Sequence, residues 1–326
     1  MIISKTPFRM SFVGGGSDLK SFYKESTGAV VSTTIDKYMY LSMHKHFEPS
    51  RSLLKYSKTE SVGSIDEIEH VIIKEVFRYF NIKNVDFNST ADIPAGTGMG
   101  SSSAFTCGLI NLCSNYLGQK LPNYEIAKLA CKIEIDILNE PIGKQDQYGC
   151  AYGGLKLIQF NSDDSVEIKP ILLTHSKLNE LQSNLILFYT NTTRKASSIL
   201  AEQTKNTKFS KKIKDNLKIM SSMANQLYND LNKGNIDLIG EYLNEAWQRK
   251  KSLANKISNP DIDYIYQTAM KNGAKGGKLL GAGGGGFLLL YVSRENQQKV
   301  RKSLKNYMEL PFNFDYEGTK IIFNDK

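Results

Sequence analysis

The chain has 326 residues, 40% hydrophobic and 23% charged, with 42 Lys and Arg against 33 Asp and Glu, a formal net charge of +9. This composition is ordinary for a globular protein, and the length suits two domains, or one large one, with ample core. The longest apolar runs, such as residues 287–292, fall far short of the roughly 20 that a membrane helix needs, and the first residues do not read as a signal peptide, so a soluble protein is expected. The positive balance favours anionic partners, whether nucleic acid, a membrane surface or a phosphorylated small molecule, without choosing among them.

Taken in chain order, residues 8–13, 29–35, 38–44 and 53–56 are β-rich runs, several of them alternating. Ile65, Ile68, Ile72, Val76 and Tyr79 then recur at helical spacing. A strand-like run, 85–90, leads into a Gly/Ser loop, followed by helices over 102–117 and about 123–139. Residues 153–160 and 185–190 read as further strands. From about 195 the pattern becomes helical: Phe209, Ile213, Leu217, Met220, Ala224, Leu227 and Leu231 mark a long amphipathic helix. More helix is expected over 235–256 and 261–272. An apolar strand over 287–292, a helix over 295–307 and two short strands complete an α+β chain without regular βα alternation. The expected division is 1–190 and 191–326. The four cysteines, Cys107, Cys113, Cys131 and Cys150, form no Cys-x-x-Cys pair and read as reduced core residues of a cytoplasmic protein.

The loop at 94–104, Pro-Ala-Gly-Thr-Gly-Met-Gly-Ser-Ser-Ser-Ala, carries the strongest functional signal. Its glycines sit where a strand turns into a helix N-terminus, where unpaired backbone N–H groups and the helix dipole favour an anion. It is not a Walker A loop, because Ser101 follows Gly100 and the loop has no lysine. Nor is it a dinucleotide fingerprint, which starting at Gly96 would need glycine at 101. The alternative is a tight turn that merely caps a helix.

Three more segments carry candidate chemistry. Arg9 lies on a strand that ends in Gly14, Gly15, Gly16, Ser17 and Asp18. Such a loop can wrap a polar ligand while Asp18 accepts hydrogen bonds from hydroxyls; it can equally be a hairpin with a capping aspartate. Glu134 falls inside the apolar stripe of its helix, so it needs either a metal bridging phosphates or a buried ion pair. Asp146 sits in a predicted loop between Gly143 and Gly149 with Lys144 two residues away, as a catalytic base or a solvated turn residue. Residues 273–286 hold eight glycines in fourteen, Gly283 and Gly284 among them, which points to close backbone approach to a ligand or to another loop. His44 and His46 lack the further ligands of a zinc site. The lysines at 205, 208, 211, 212, 214 and 218 read as a solvated helix face without the aromatics of a nucleic-acid surface. Arg194, just past a strand, is placed to meet a ligand phosphate.

In order and spacing, the segments Pro7 to Asp18, Pro94 to Ala104 and Lys278 to Gly286 resemble the three motifs of the GHMP kinases. Met99 stands where the family's second motif usually has leucine, and Ser103 is a third serine; neither change removes a donor. The resemblance implies an N-terminal domain like ribosomal protein S5 domain 2, a C-terminal ferredoxin-like α/β domain, and ATP with Mg2+ between them. It implies a phosphate cradle of Pro94, Gly96, Gly98, Met99, Gly100, Ser101, Ser102, Ser103, Gly283 and Gly284. Ser102 and Glu134 match the magnesium ligands, Asp146 the base, and Arg9 a basic residue beside it. Gly15, Gly16, Ser17 and Asp18 would hold the sugar. By placement, Lys144, grouped with the catalytic residues, and Arg194 are candidates for the substrate's own phosphate.

The stretches 12–19, 32–38 and 143–148 look most like the heptose 7-phosphate kinase branch. That branch phosphorylates the anomeric hydroxyl to the 1,7-bisphosphate, towards nucleotide-activated heptose for capsule or lipopolysaccharide. Alternatives are a fucokinase-like sugar kinase and a non-catalytic nucleotide or sugar sensor. No nucleic-acid or membrane partner is expected, and monomer and homodimer are both open.

Overall fold

A computed structural model describes residues 1–193 and 196–325. Twelve strands run in chain order as β1 (Ile2–Val13), β2 (Gly28–Lys45), β3 (Ser52–Lys55), β4 (Thr59–Val62), β5 (Val85–Ala91), β6 (Lys156–Phe160), β7 (Val166–Pro170), β8 (Leu185–Tyr189), β9 (Ala274–Leu279), β10 (Phe287–Val292), β11 (Phe314–Asp315) and β12 (Lys320–Asn324). The helices are α1 (Lys20–Tyr23), α2 (Val71–Phe80), α3 (Ser101–Tyr116), α4 (Asn123–Cys131), α5 (Gln145–Tyr152), α6 (His175–Ser183), α7 (Ala196–Phe209), α8 (Lys211–Asn232), α9 (Ile239–Lys251), α10 (Pro260–Lys271) and α11 (Arg294–Ser303).

The large sheet is ordered β12-β1-β2-β5-β3-β4, with β6 and β11 also pairing β2, and β7 pairing β6. Its pairs are antiparallel except β3 with β5. The second sheet is β8-β10-β9, antiparallel, with β10 buried at all six positions. Sheet membership puts residues 185–189 with the second sheet and returns 314–324 to the first, so a cut at 190 divides neither sheet cleanly. The α+β expectation holds, and two apolar cores form, one holding the large sheet together with one face of β8 and β10, the other packed on the opposite face of β8 and β10. Phe8, Phe12, Leu41, Phe87 and Ile110 belong to one; Trp247, Ile265, Leu288 and Leu290 belong to the other.

α3 is buried from Ser103 through Ser114, which explains its weak amphipathic pattern: a helix covered on all sides need not alternate. It seats against β1 because Gly108 has no side chain; a Cβ there would lie 2.7 Å from Thr6 Oγ1. Its N-terminus is thereby fixed against Arg9 of β1.

Several elements depart from the expected pattern. Residues 29–35 and 38–44 form one strand, β2, bent where the pairing shifts between Phe8–Ile35 and Pro7–Tyr38. The helix expected from Ile65 is a 3-10 turn, Ile65–Glu67, and then α2, which begins after His70 and is capped by its imidazole. The long C-terminal helix is preceded by α7, and Ser210 caps α8 by accepting from the Ile213 N–H. Phe209 is 81% exposed and outside the apolar stripe. The helix expected to reach 139 ends as a π-helical turn, Lys132–Ile137. Asp146 is in the first turn of α5, not in a loop; Gly149 weakens the helical signal there but lets the helix approach the Arg9 stem, 3.2 Å from where a Cβ would sit.

The two sheets meet through glycine. Gly98, at φ +80°, would place a Cβ 2.6 Å from the Leu280 carbonyl oxygen, and Gly281, at φ +68°, would place one 2.4 Å from Gly98 Cα. Side chains at either position force the two loops apart. Gly98→Ala is therefore expected to lower unfolding free energy by about 2 kcal/mol or more, measured by urea denaturation, whereas Gly118→Ala, which has open space, should cost less because it pays only for its positive φ.

Candidate active site

A cavity of about 1120 Å³ lies between the sheets, larger than the few hundred cubic ångströms that one small ligand needs. One end is walled by Tyr56, His70, Ile72 and Phe105; the other reaches Arg9, Gly15, Gly16, Asp18 and Asp146. Pro94, Gly96, Gly98, Gly100, Ser101, Ser102 and Ser103 form the rim between them, and Leu280 to Gly283 with Gly285 face them from the second sheet.

Gly100, at φ 76° and ψ 32°, caps α3 with no side-chain acceptor of its own, so the first amides of α3 have no capping side chain. With the helix dipole, these groups make an anion site. Arg9 fixes the loop from below: its backbone N–H donates to Met99 O at 3.1 Å and its Nη1 to Gly98 O at 2.6 Å.

The same guanidinium grips Asp146. Nε donates to Oδ1 and Nη2 to Oδ2, each at 2.7 Å, a bidentate pair in which Arg9 is 3% and Asp146 25% exposed. Asp146 is thereby held in a fixed orientation on the cavity lining.

Glu134 is buried within the π-helical turn, a deformation that recurs at functional sites. Ser102 Oγ donates to Oε1 at 2.7 Å; Ser103 Oγ and Gln147 Nε2 donate to Oε2 at 2.9 and 2.7 Å. Burial pushes the Glu134 carboxyl above its usual range, three hydrogen bonds pull it back, and the Asp146 charge adds to the rise. None of its donors is a cation. A buried carboxylate with a serine hydroxyl beside it is a hard-oxygen pair that fits Mg2+, which takes one or two carboxylates and fills its shell with water and phosphates. Among the described residues no group of three or more His, Cys, Asp or Glu could hold a metal, and His44 and His46 belong to none.

Asp18 is buried. It accepts from the Gly16 N–H at 2.9 Å, from Gln145 Nε2 at 3.2 Å and from the Gln145 N–H at 3.3 Å. Burial, then the Asp146 charge, raises its carboxyl above the ordinary range. Gly143 is obligatory here, since a Cβ would fall 1.9 Å from Asp18 Oδ2.

Other expected site residues stand elsewhere. The Lys144 ammonium turns away from the cavity onto Asp164, with Nζ 3.1 Å from Oδ1, and lies 4.6 Å over the Tyr23 ring. It caps α5, so its side chain leaves in a direction different from that of Asp146. Ser17 is fully buried and donates to Gly14 O and Ala29 O, which shapes the loop without lining the cavity. Met99 is fully buried in the core and offers only its carbonyl. Gly283 lines the cavity; the Gly284 N–H is spent on Ile257 O. Arg194 lies outside the described residues. The sequence reading missed Gln147 and Gln145, whose signal was a position one helical turn or less from Asp146. It also missed Lys250, hidden in the basic run 249–251, and gave Lys278 no role beyond opening a motif.

Residues 68–154 match the GHMP kinases N terminal domain, and residues 227–310 match the GHMP kinases C terminal domain. The chain belongs to the GHMP kinase family. It is a phosphotransferase with an alcohol group as acceptor. It is 29% identical over 334 residues to the D-glycero-alpha-D-manno-heptose 7-phosphate kinase of Campylobacter jejuni, covering 98% of both chains. The crystal structure of a D-glycero-D-manno-heptose 1-phosphate kinase from Bacteroides thetaiotaomicron superposes with TM-score 0.81 at 25% identity, over 100% of both chains. The L-fucokinase/L-fucose-1-P guanylyltransferase of Bacteroides fragilis is 25% identical over 92% of this chain, which spans 35% of that protein. No helix among the described residues is long and apolar enough to cross a membrane.

Arg9 and Asp146 make a direct stability test of this GHMP kinase site. Removing one partner strands a half-buried charge, so Arg9→Met and Asp146→Asn should each destabilise. A double-mutant cycle read by chemical denaturation should give a coupling of about 2 kcal/mol; a coupling near zero contradicts the geometry.

Proposed function

We propose that the protein is a heptose 7-phosphate kinase that uses ATP and Mg2+ to phosphorylate the anomeric hydroxyl, giving the 1,7-bisphosphate. The observation that carries the reading is the convergence in one cavity of an anion-ready helix N-terminus, the arginine-clamped Asp146 and Ser102, whose hydroxyl is bonded to Glu134 buried just behind the cavity wall. The two heptose phosphate kinase relatives support the choice of sugar.

The nucleotide base lies at the Tyr56, His70 and Phe105 end, where an aromatic wall suits a flat ring, and the phosphates lie along 94–103 and Gly283. Ser102 and Glu134 would hold Mg2+, which would supply charge neutralisation at the transferring phosphate. Gly15, Gly16 and Asp18 orient the sugar, with Asp18 accepting from its hydroxyls. Arg9 holds Asp146 fixed through its bidentate contact. Asp146 takes the proton of the anomeric hydroxyl, the oxygen bonds to the γ-phosphorus, and the bond to the β–γ bridging oxygen breaks to release ADP. Positioning and preorganised charge supply most of the rate. The reaction belongs in the cytoplasm with ATP, upstream of nucleotide-activated heptose for surface polysaccharide.

Purified protein with ATP, Mg2+ and D-glycero-D-manno-heptose 7-phosphate should release ADP and give a product with two phosphorus resonances, one of them anomeric. Turnover of heptose 1-phosphate or fucose in its place contradicts the choice of substrate and leaves the kinase assignment standing. Asp146→Asn should lower kcat by about 10²–10⁴ while a nonhydrolysable ATP analogue binds within about twofold of wild type. Unchanged kcat removes Asp146 from the proton transfer.

A further inference from the structure

Lys250, on α9, and Lys278, on β9, are 5% and 3% exposed, and both line the cavity. Lys250 Nζ donates to Leu279 O at 3.2 Å and to Gly281 O, tying α9 to the start of the glycine run. Lys278, opposite Leu289 in the sheet register, has no hydrogen bond or ion pair to its ammonium among the described residues.

The fold shows what a buried structural lysine looks like. Lys156 is 2% exposed, away from the cavity, and its ammonium donates to Gly153 O at 2.7 Å and Gly154 O at 3.0 Å. Lys278 has no such carbonyl partners; its stem is buried while its residue lines the cavity, where a charged head keeps access to solvent or to a ligand.

The charges around the two lysines do not balance. Besides burial, the charges that act on Lys278 are Lys250, Arg9 and Asp18, and those that act on Lys250 are Arg9, Asp18 and Asp146. Arg9 is already committed to Asp146 and Gly98 O, and Asp18 already accepts three hydrogen bonds from its own loop. Against Asp18, two lysines leave an excess of positive charge in a site open to the cavity. The amide nitrogen of Gln203, itself 2% exposed, is a further buried donor without a partner on the same lining, beside Gly16. Lys278 and Gln203 thus bring donors without acceptors to the same cavity lining.

We propose that Lys278, beside the carbonyl-bonded Lys250, forms a phosphoryl-binding subsite where the second sheet meets the Asp18 loop. Compact ammonium charges suit a tetrahedral phosphoryl group, which needs no planar fork. The group is either the γ-phosphoryl of the nucleotide or the acceptor's own phosphate, and the chemistry of recognition is the same. The inference rests on the reading of this cavity as the kinase site.

Binding to the intact chain, measured by calorimetry with Mg2+, separates the two sources. ADP is compared with a nonhydrolysable ATP analogue, and heptose 7-phosphate with the unphosphorylated heptose. Lys278→Met should weaken the phosphoryl-bearing member of one pair at least tenfold and its counterpart less than twofold, with Lys278→Arg recovering part of the loss. A larger effect on the nucleotide pair assigns the γ-phosphoryl; a larger effect on the sugar pair assigns the acceptor phosphate. Equal loss within both pairs, or none, overturns the subsite. The wild-type protein gives a second test that needs no folded variant and no correct sugar. Excess inorganic phosphate should slow acetylation of Lys278 by acetic anhydride several-fold, read by peptide mass spectrometry, while leaving Lys156 unchanged. Absence of protection overturns the proposal whatever the sugar.

Discussion

One guanidinium joins the parts of this site. Arg9 projects from the first strand, donates to a carbonyl of the 94–104 loop and grips both oxygens of Asp146 on α5. Loop, strand and helix are thus fixed relative to one another by a single planar group with donors in a rigid fork, a role that the point charge of lysine cannot fill. The surrounding glycines follow from that arrangement. Gly149 allows α5 to lie on the Arg9 stem, Gly108 allows α3 to lie on β1, and Gly98 and Gly281 allow the second sheet to approach the loop.

The electrostatics of the cavity are those of a site that holds charge for a ligand. Asp18 and Glu134 are buried carboxylates, both raised by burial. Across from them, burial pushes the Lys250 ammonium down to about 7 and Lys278 well below its ordinary value. Opposed buried groups, each short of a full set of partners, are a recurrent mark of sites where binding supplies the missing charge. Structural ion pairs in the same chain, such as Lys214 with Glu25 or Arg301 with Glu309, are solvent-accessible and paired, and carry no such tension.

Much of this was legible in the sequence, and the reason is local. Glycines and serines at a strand-to-helix junction fix backbone chemistry by themselves, so the loop at 94–104, the first glycine segment and the run before β10 could be read directly. Glu134 stood out because a carboxylate in an apolar stripe contradicts its surroundings. Lys144 misled because nearness in sequence to Asp146 was taken for nearness in space; at a helix N-terminus residues two apart point to roughly opposite sides, and Asp164 of the β6–β7 turn takes the ammonium. The π-helical turn was invisible since one extra residue leaves no compositional trace. Lys250 and Lys278 were invisible for a different reason: lysine favours solvent, and only tertiary packing of α9 and β9 against the glycine loops buries them.

The central claim is that one cavity aligns the nucleotide phosphates on the α3 N-terminus with the Ser102–Glu134 pair and Asp146. A crystal structure with Mg2+ and a nonhydrolysable ATP analogue tests it most directly. The account predicts the β- and γ-phosphates on the amides of residues 96–103, the metal bound by Ser102 and Glu134, and the γ-phosphoryl facing Asp146. Phosphates bound away from that loop, or a metal with neither residue in its shell, would contradict it.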